Sequence, residues 1–339
     1  MIKRWKDRPP GSNWGDFGAE DQHGRMNLIT AERRLRALQE AKTGRLFVLS
    51  HPLTLPGGNV LNADRHPPAL HPVQRGEHVY FNLAMENYDP RFTDVGSDEA
   101  IMLYSQYSTH WDALAHKGSV FDADGDGVAE KVSYNGFRLV DDDGRALYGE
   151  LGARALSVAA MAETGVQGRS VMVDLRHHFG DERVAVTFEM LEHVMRADGV
   201  TVDQGDILCI HTGLGQLIRE ADGRLDTSIR TRCAVLDGYD KRLLEWISDC
   251  GIAAIAADNL AVERSSTLGV DPRLGHRGPQ LPLHEHCLFK LGIHLGELWY
   301  LTELAGWLRA NARSRFLLTA PPLRMPGAAG SPVTPVATV

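Results

Sequence analysis

An α/β architecture is what this sequence predicts, and three observations predict it. Residues 170–175, 206–211 and 252–257 are short runs, apolar in most positions and bounded by Gly, Asp or Asn, as buried strands are. Helical periodicity occupies 187–197, 241–248, 283–291 and 301–312. Strands alternating with helices favour a layered α/β sheet over an all-β sandwich, and no internal repeat points to a solenoid.

Taken in order, residues 13–30 are rich in Gly, Asp and Asn and read as an ordered loop. Thr30 is placed to cap a helix over 31–43, its hydroxyl accepting one of the free N–H groups of the first turn, with Gly44 placed to end it. Residues 46–53 are a β-like run that stops at the turn Pro56-Gly57-Gly58. Residues 59–79 are polar and rich in Pro and His, a surface excursion of the kind that covers a site. The last twenty residues, 320–339, carry much Pro and Gly and little charge. They read as an extended strap across the body, because Leu323, Met325, Val333 and Val336 gain from burial. Residues 1–339 are read as one large domain, with 1–45 as an N-terminal loop and helix extension.

A chain of 339 residues can bury a large core without disulfides or a structural metal. Its 36 basic and 44 acidic residues give a net charge of −8, and no basic stripe interleaves with aromatics, which argues against a nucleic-acid partner. Cys209, Cys233, Cys250 and Cys287 are scattered without a C-x-x-C pair, so neither a zinc ribbon nor a disulfide framework is expected. Residues 1–15 lack the apolar stretch of a secretory signal, and no run of about 18 apolar residues predicts a membrane span. The expectation is a cytoplasmic chain with no membrane partner.

The richest stretch of metal-binding residue types runs from Gln106 to His116 and holds His110, Asp112 and His116. Imidazole and carboxylate are the groups that zinc, manganese or iron accept, and a catalytic metal needs about three with a position left open. His110 and Asp112 are two apart, so on extended backbone they share a face. Asp112 and His116 are four apart, so a helix starting near Asp112 brings them together. The bland alternative is a capping Asp between two incidental histidines. Elsewhere, Asp122, Asp124 and Asp126 with Gly127 resemble the front of a calcium loop, but Ser133 stands where its bidentate Glu belongs, so a solvated acidic turn is expected. His177 and His178 read as a surface pair. His284 and His286 lie on a helical pattern ahead of Glu297, and spacing alone does not bring them to the first cluster.

These residues resemble the cyclase family, the metal-dependent group that includes bacterial kynurenine formamidases and isatin hydrolases. Its signature, H-x-G-T-H-x-D-x-x-x-H, is matched at Thr109, His110, Asp112 and His116. The likeness extends to Trp14-Gly15, Asn27 to Thr30, Gly205-Asp206, Thr212-Gly213, Asp258-Asn259, Glu263, and Pro321 to Leu323 with Gly330 to Pro332. It implies a compact, swivelling β/β/α arrangement, assembled as a homodimer or homotetramer. It implies that His110 and Asp112 are metal ligands, that His116 is the acid–base, and that His284 and Glu297 hold a second metal with the shared Asp. Two departures stand out: Gln106 replaces the family's first ligand His, leaving only a weak oxygen ligand, and Ser108 replaces its Gly.

The implied activity is hydrolysis of an amide-type C–N bond in a small molecule, as in aryl formamides, lactams or cyclic imides. The implied cofactor is a divalent metal, zinc or manganese. Tyr107 and Trp111, beside the ligands, are candidates for an aromatic wall against a flat substrate, although each alone fits a core residue better. A lyase or true cyclase is the second reading, and a calcium-stabilised binding protein the third.

Overall fold

The computed structural model describes residues 4–140, 152–264 and 278–339. Its centre is a nine-stranded mixed sheet in the order Leu46–Val48, Val336–Thr338, Arg315–Thr319, Gln167–Asp174, Ile207–His211, Ala254–Ala257, His294–Glu297, His110–Asp112, Gly330–Pro332. The three apolar runs become the adjacent strands Gln167–Asp174, Ile207–His211 and Ala254–Ala257, and with His294–Glu297 they form a parallel set of four. Both faces of that set are covered, which is why its strands read as continuous apolar runs rather than alternating ones. Val171, Leu208 and Ile255 meet Leu191, Leu243 and Phe289 on one side; Met172, Cys209 and Ala256 meet Leu304, Leu308 and Trp299 on the other.

Helix starts follow the capping chemistry of the sequence. Thr30 accepts from Arg33 N–H, Thr187 from Met190 N–H and Asp240 from Arg242 N–H. Helix ends depart from it in two places. The first helix spans Ala31–Leu38 and does not reach residue 43, because the N–H groups of Thr43 and Gly44 are taken by the Val339 carbonyl at 2.8 and 2.9 Å. The 283–291 pattern divides into a short α turn, Pro282–His284, and a π-helical stretch, Glu285–Leu291. A hydrophobic repeat near 3.6 does not distinguish the two.

At the C-terminus, Gly330–Pro332 and Val336–Thr338 enter the central sheet and Val333 is buried, while Leu323 stays 53% exposed, against the expectation of burial. The 59–79 excursion is longer than its composition showed. It runs on to residue 104 and carries strands of its own, among them Ala69–Arg75, His78–Tyr80 and Glu99–Met102. No helix among the described residues is long and apolar enough to cross a membrane.

Candidate metal centre

The carboxyl ends of parallel strands are where open α/β sheets gather ligands, and Glu297 lies at such an end. The antiparallel strand beside it is in register Glu297 to His110 and Leu295 to Asp112. Alternation along that strand puts His110 and Asp112 on one face and Trp111 on the other. Trp111 is fully buried there, its indole N–H donating to the Ala320 carbonyl at 2.8 Å and its ring 5.0 Å from Trp299. Trp111 is therefore a core residue, the reading that its position fitted better, and the candidate place in a substrate wall does not hold.

His110 Nδ1 lies 2.7 Å from the Ser108 carbonyl, an acceptor, so the ring carries its hydrogen on Nδ1 and leaves a lone pair on Nε2. That Nε2 is buried without a hydrogen-bond partner, 3.6 Å from Asp112 Oδ1 and 3.7 Å from Glu297 Oε2. Asp112 Oδ2 is equally bare, 3.8 Å from both His116 Nε2 and His284 Nε2. His284 Nε2 is 3.2 Å from Glu297 Oε1, and its Nδ1 is 2.8 Å from Glu263 Oε1. Glu263 also accepts from the N–H groups of Leu283 and His284, so one carboxylate fixes both the backbone turn and the ring. Donor atoms of His110, Asp112 and Glu297 form one group, and those of Asp112, His116 and His284 another, each within 4.8 Å, with Asp112 common to both.

Burial and neighbouring charge shift the ionisable groups of this pocket in both directions. Burial, reinforced by Glu297, raises the Asp112 carboxyl above the usual range. Burial acts the same way on Glu297 but is outweighed by the hydrogen bond from His284 and the nearby imidazoles, which hold it below. Burial disfavours the His284 imidazolium, yet Glu263 and Glu297 on its two sides raise it to about 10. Burial lowers His110, and it lowers His116 to about 3 with help from His284.

His116 does not sit on a helix. Ala113 N–H goes to the Ala329 carbonyl and Ala115 N–H to that of Leu156, so tertiary partners hold the backbone in a tight turn closed by His116 N–H to the Ala113 carbonyl at 2.8 Å. The turn brings His116 to Asp112 all the same. Gln106 presents its amide nitrogen, not its oxygen, donating to Asp112 Oδ1 and standing 3.0 Å from His116 Nδ1. Its neighbours are acceptors, which is why the expected oxygen ligand is a hydrogen-bond donor instead. With Nδ1 accepting, neutral His116 carries its proton on Nε2, the atom facing Asp112.

Two openings flank the cluster. Beside Gln106 and Tyr107 is a gap of about 10 Å³, closed by Pro56, Asn62, Arg65 and Leu298, room for no more than a water. Tyr107 is buried with its hydroxyl on the Gly58 carbonyl at 2.9 Å, so it too fails as a wall for a flat ring. On the other side, among the described residues, a cleft of about 980 Å³ is lined by His116, Lys117, Ser119, Lys131, Leu281 and Glu285.

The remaining sequence candidates lie apart. His286 bonds the Ser248 hydroxyl at 2.9 Å, and His178 pairs with Asp198 at 3.0 Å. Asp122 accepts the N–H groups of Gly125, Asp126 and Gly127, the pattern of an acidic turn closed on itself. Sequence reasoning missed what Glu263 does for His284 and missed Arg65, which donates to the Gln106 carbonyl at 2.7 Å. No spacing signal links either residue to the motif.

The Cyclase family model matches residues 47–264, and the chain belongs to that family. A crystal structure described as a novel cyclase is 29% identical, with a TM-score of 0.75 over 98% of this chain and 100% of that one. Isatin hydrolase A from Ralstonia solanacearum shares the fold at 14% identity and TM-score 0.53, over 91% and 97% of the two chains. An isatin hydrolase bound to the product analogue thioisatinate does so at 14% identity and TM-score 0.54, over 91% and 99%. No curated protein matches this chain.

Proposed function

We propose that this chain is a metal-dependent hydrolase that opens an amide-type C–N bond in a small molecule such as an aryl formamide, a lactam or a cyclic imide. One observation carries the reading: the bare lone pair of His110 Nε2, buried 3.6 Å from Asp112 Oδ1 and 3.7 Å from Glu297 Oε2, while the other Asp112 oxygen, itself bare, faces His116 and His284. A buried acceptor without a partner costs free energy on the order of 1–3 kcal/mol, a cost that a cation held among the donors around Asp112 would offset. Imidazole with carboxylate suits zinc or manganese. His110, Asp112, His284 and Glu297 would hold the ion, and Glu263 would orient His284 through its other nitrogen. Bound there, the ion supplies a Lewis acid for a carbonyl oxygen and lowers the pKa of water.

The chain supplies the rest. His116 is the one histidine of the cluster that borders the large cleft. Gln106 occupies its Nδ1, so His116 would exchange protons through Nε2, taking one from water and returning it to the leaving nitrogen as the imidazolium. Burial, with help from His284, disfavours the charged ring. Support from relatives is by name: two structures of the same fold are isatin hydrolases. The 29% identical structure is described as a cyclase, which favours a second reading, ring closure or elimination at a carbonyl.

The test uses protein purified without chelator, assayed on aryl formamides, lactams, cyclic imides and isatin-like rings in oxygen-18 water. Chelation should abolish turnover, zinc or manganese should restore it, and product should carry solvent oxygen. Full activity after complete demetallation would sink the reading. Turnover without oxygen incorporation would establish the cyclase alternative.

A further inference from the structure

The cleft beside His116 is about 980 Å³, room for a small molecule, and its wall carries a charge pattern of its own. The chain has seven lysines and a net charge of −8, yet two of the seven, Lys117 and Lys131, line this one cleft. Lys117 directly follows His116 and is partly buried. Lys131 stands opposite Val120 in the hairpin of Ser119–Phe121 and Glu130–Val132, so the two side chains leave one face and meet the cleft together.

Neither ammonium is spent on a carboxylate of the described residues. The acids around them are engaged elsewhere. Asp124 and Glu130 pair with Arg138 at 3.8 and 3.7 Å, and Glu285, the one carboxylate in the described lining, accepts from the Ser119 hydroxyl at 2.7 Å. A lysine on convex surface needs no partner, because water serves it. These two share a concave wall with Val120, Leu139, Val140 and Leu281, and a cleft walled by apolar side chains focuses the field of its charges on what enters. Two lysines against Glu285 leave one positive charge. A singly charged carboxylate matches it, a phosphate dianion overfills it, and a zwitterion brings no net charge to it.

We infer that the molecule this site takes is a monoanion, with a carboxylate that meets Lys117 and Lys131 and an apolar body that lies along Val120, Leu139 and Leu281. Lys117 and His116 are consecutive and both line the cleft, so one small molecule can reach both. Lysine takes a carboxylate as a point charge, without the fixed two-point geometry of arginine, so the anchor tolerates bodies of different shape. The reaction rests on the hydrolase reading; the charge preference in binding does not.

The experiment uses metal-loaded full-length protein and two matched compounds, meta-formamidobenzoate and its neutral counterpart, meta-formamidobenzamide. Wild type should favour the carboxylate in kcat/KM by about tenfold, and the preference should shrink as salt rises. Lys117→Met with Lys131→Met, checked for an unchanged circular dichroism spectrum and metal content, should bring the ratio near one; Lys131→Arg should keep it. If the double variant misfolds, Lys131→Met alone, at an exposed position, should lower the ratio about threefold. Calorimetric titration with the products, meta-aminobenzoate and meta-aminobenzamide, reads the same preference without turnover. No preference in rate or binding overturns the inference, and so does a preference that survives in the double variant, as it would if the metal held the carboxylate. A formamide bearing a zwitterionic amino-acid group, if favoured over the simple carboxylate, overturns the monoanion. Turnover of both formamides without preference leaves the hydrolase reading standing alone. Preferential binding of aminobenzoate by wild type and not by the double variant, with neither formamide turned over, upholds the anion subsite without the hydrolase reading.

Discussion

A histidine with one nitrogen spent on a carbonyl and the other buried bare is built to bind, and His110 is such a residue. Asp112 serves both donor groups, so Asp112→Ala should lose metal and turnover together. His116 is less determined by geometry. It borders the cleft as an acid–base should, yet its Nε2 also belongs to the donor group of Asp112 and His284. As an acid–base, His116→Ala should keep most of its metal and lose turnover by about 10²–10⁴-fold. Metal analysis of the two variants side by side decides, and equal loss in both makes His116 a ligand. Gln106→His exchanges an amide donor for an imidazole lone pair next to Asp112. It should raise metal affinity or stoichiometry in competition titration; an unchanged value leaves position 106 as a hydrogen-bond donor to Asp112 and His116 only.

At the scale of elements, the site depends on how closely strands can approach. Gly330 is paired with Asp112, and a methyl group there would sit 2.6 Å from Gln106 Cγ and 3.0 Å from the Trp111 carbonyl. Gly330→Ala should therefore push Gln106 off His116 and Asp112, lowering turnover at least tenfold while metal content changes little. A variant with wild-type rates would show that Gln106 need not be held there. Much of this level was legible in the sequence: the three buried strands, the capped helix start at Thr30, and the shared face of His110 and Asp112 all follow from local periodicity and capping. What was not legible rests on partners remote in sequence. The turn at His116 is set by the carbonyls of Ala329 and Leu156, and the end of the first helix by that of Val339. Trp111 and Tyr107 looked available beside the motif only because one dimension hides which face each residue takes.

At the scale of the whole molecule, buried histidines lie outside the candidate centre, and His51, just past the strand Leu46–Val48, is one of them. His51 is 4% exposed, its ring nitrogens have no hydrogen-bond partner, and it packs against the Tyr300 ring at 5.7 Å. The Arg219 guanidinium lies over that ring at 3.4 Å, itself 3.8 Å from Glu303. Burial, aided by the Arg219 charge, lowers His51 to about 3. A histidine depressed in the folded state contributes stability that is present above its unfolded pKa, near 6.5, and is lost as pH falls toward the folded value. Below pH 6.5 the unfolded chain takes up a proton that the folded chain refuses, at a cost of about 1.4 kcal/mol per pH unit. His51→Leu removes that proton and two buried ring nitrogens without partners, one a donor and one an acceptor, so at pH 7 it should be neutral or slightly stabilising. Between pH 6.5 and 4.5 its urea midpoints should then fall less steeply than those of wild type. Both proteins share every other acid-labile group, the metal ligands included, so the difference between the two slopes isolates His51. Parallel slopes would mean that His51 titrates normally in the folded protein, and a large loss of stability at pH 7 would mean that its ring nitrogens bond to ordered water.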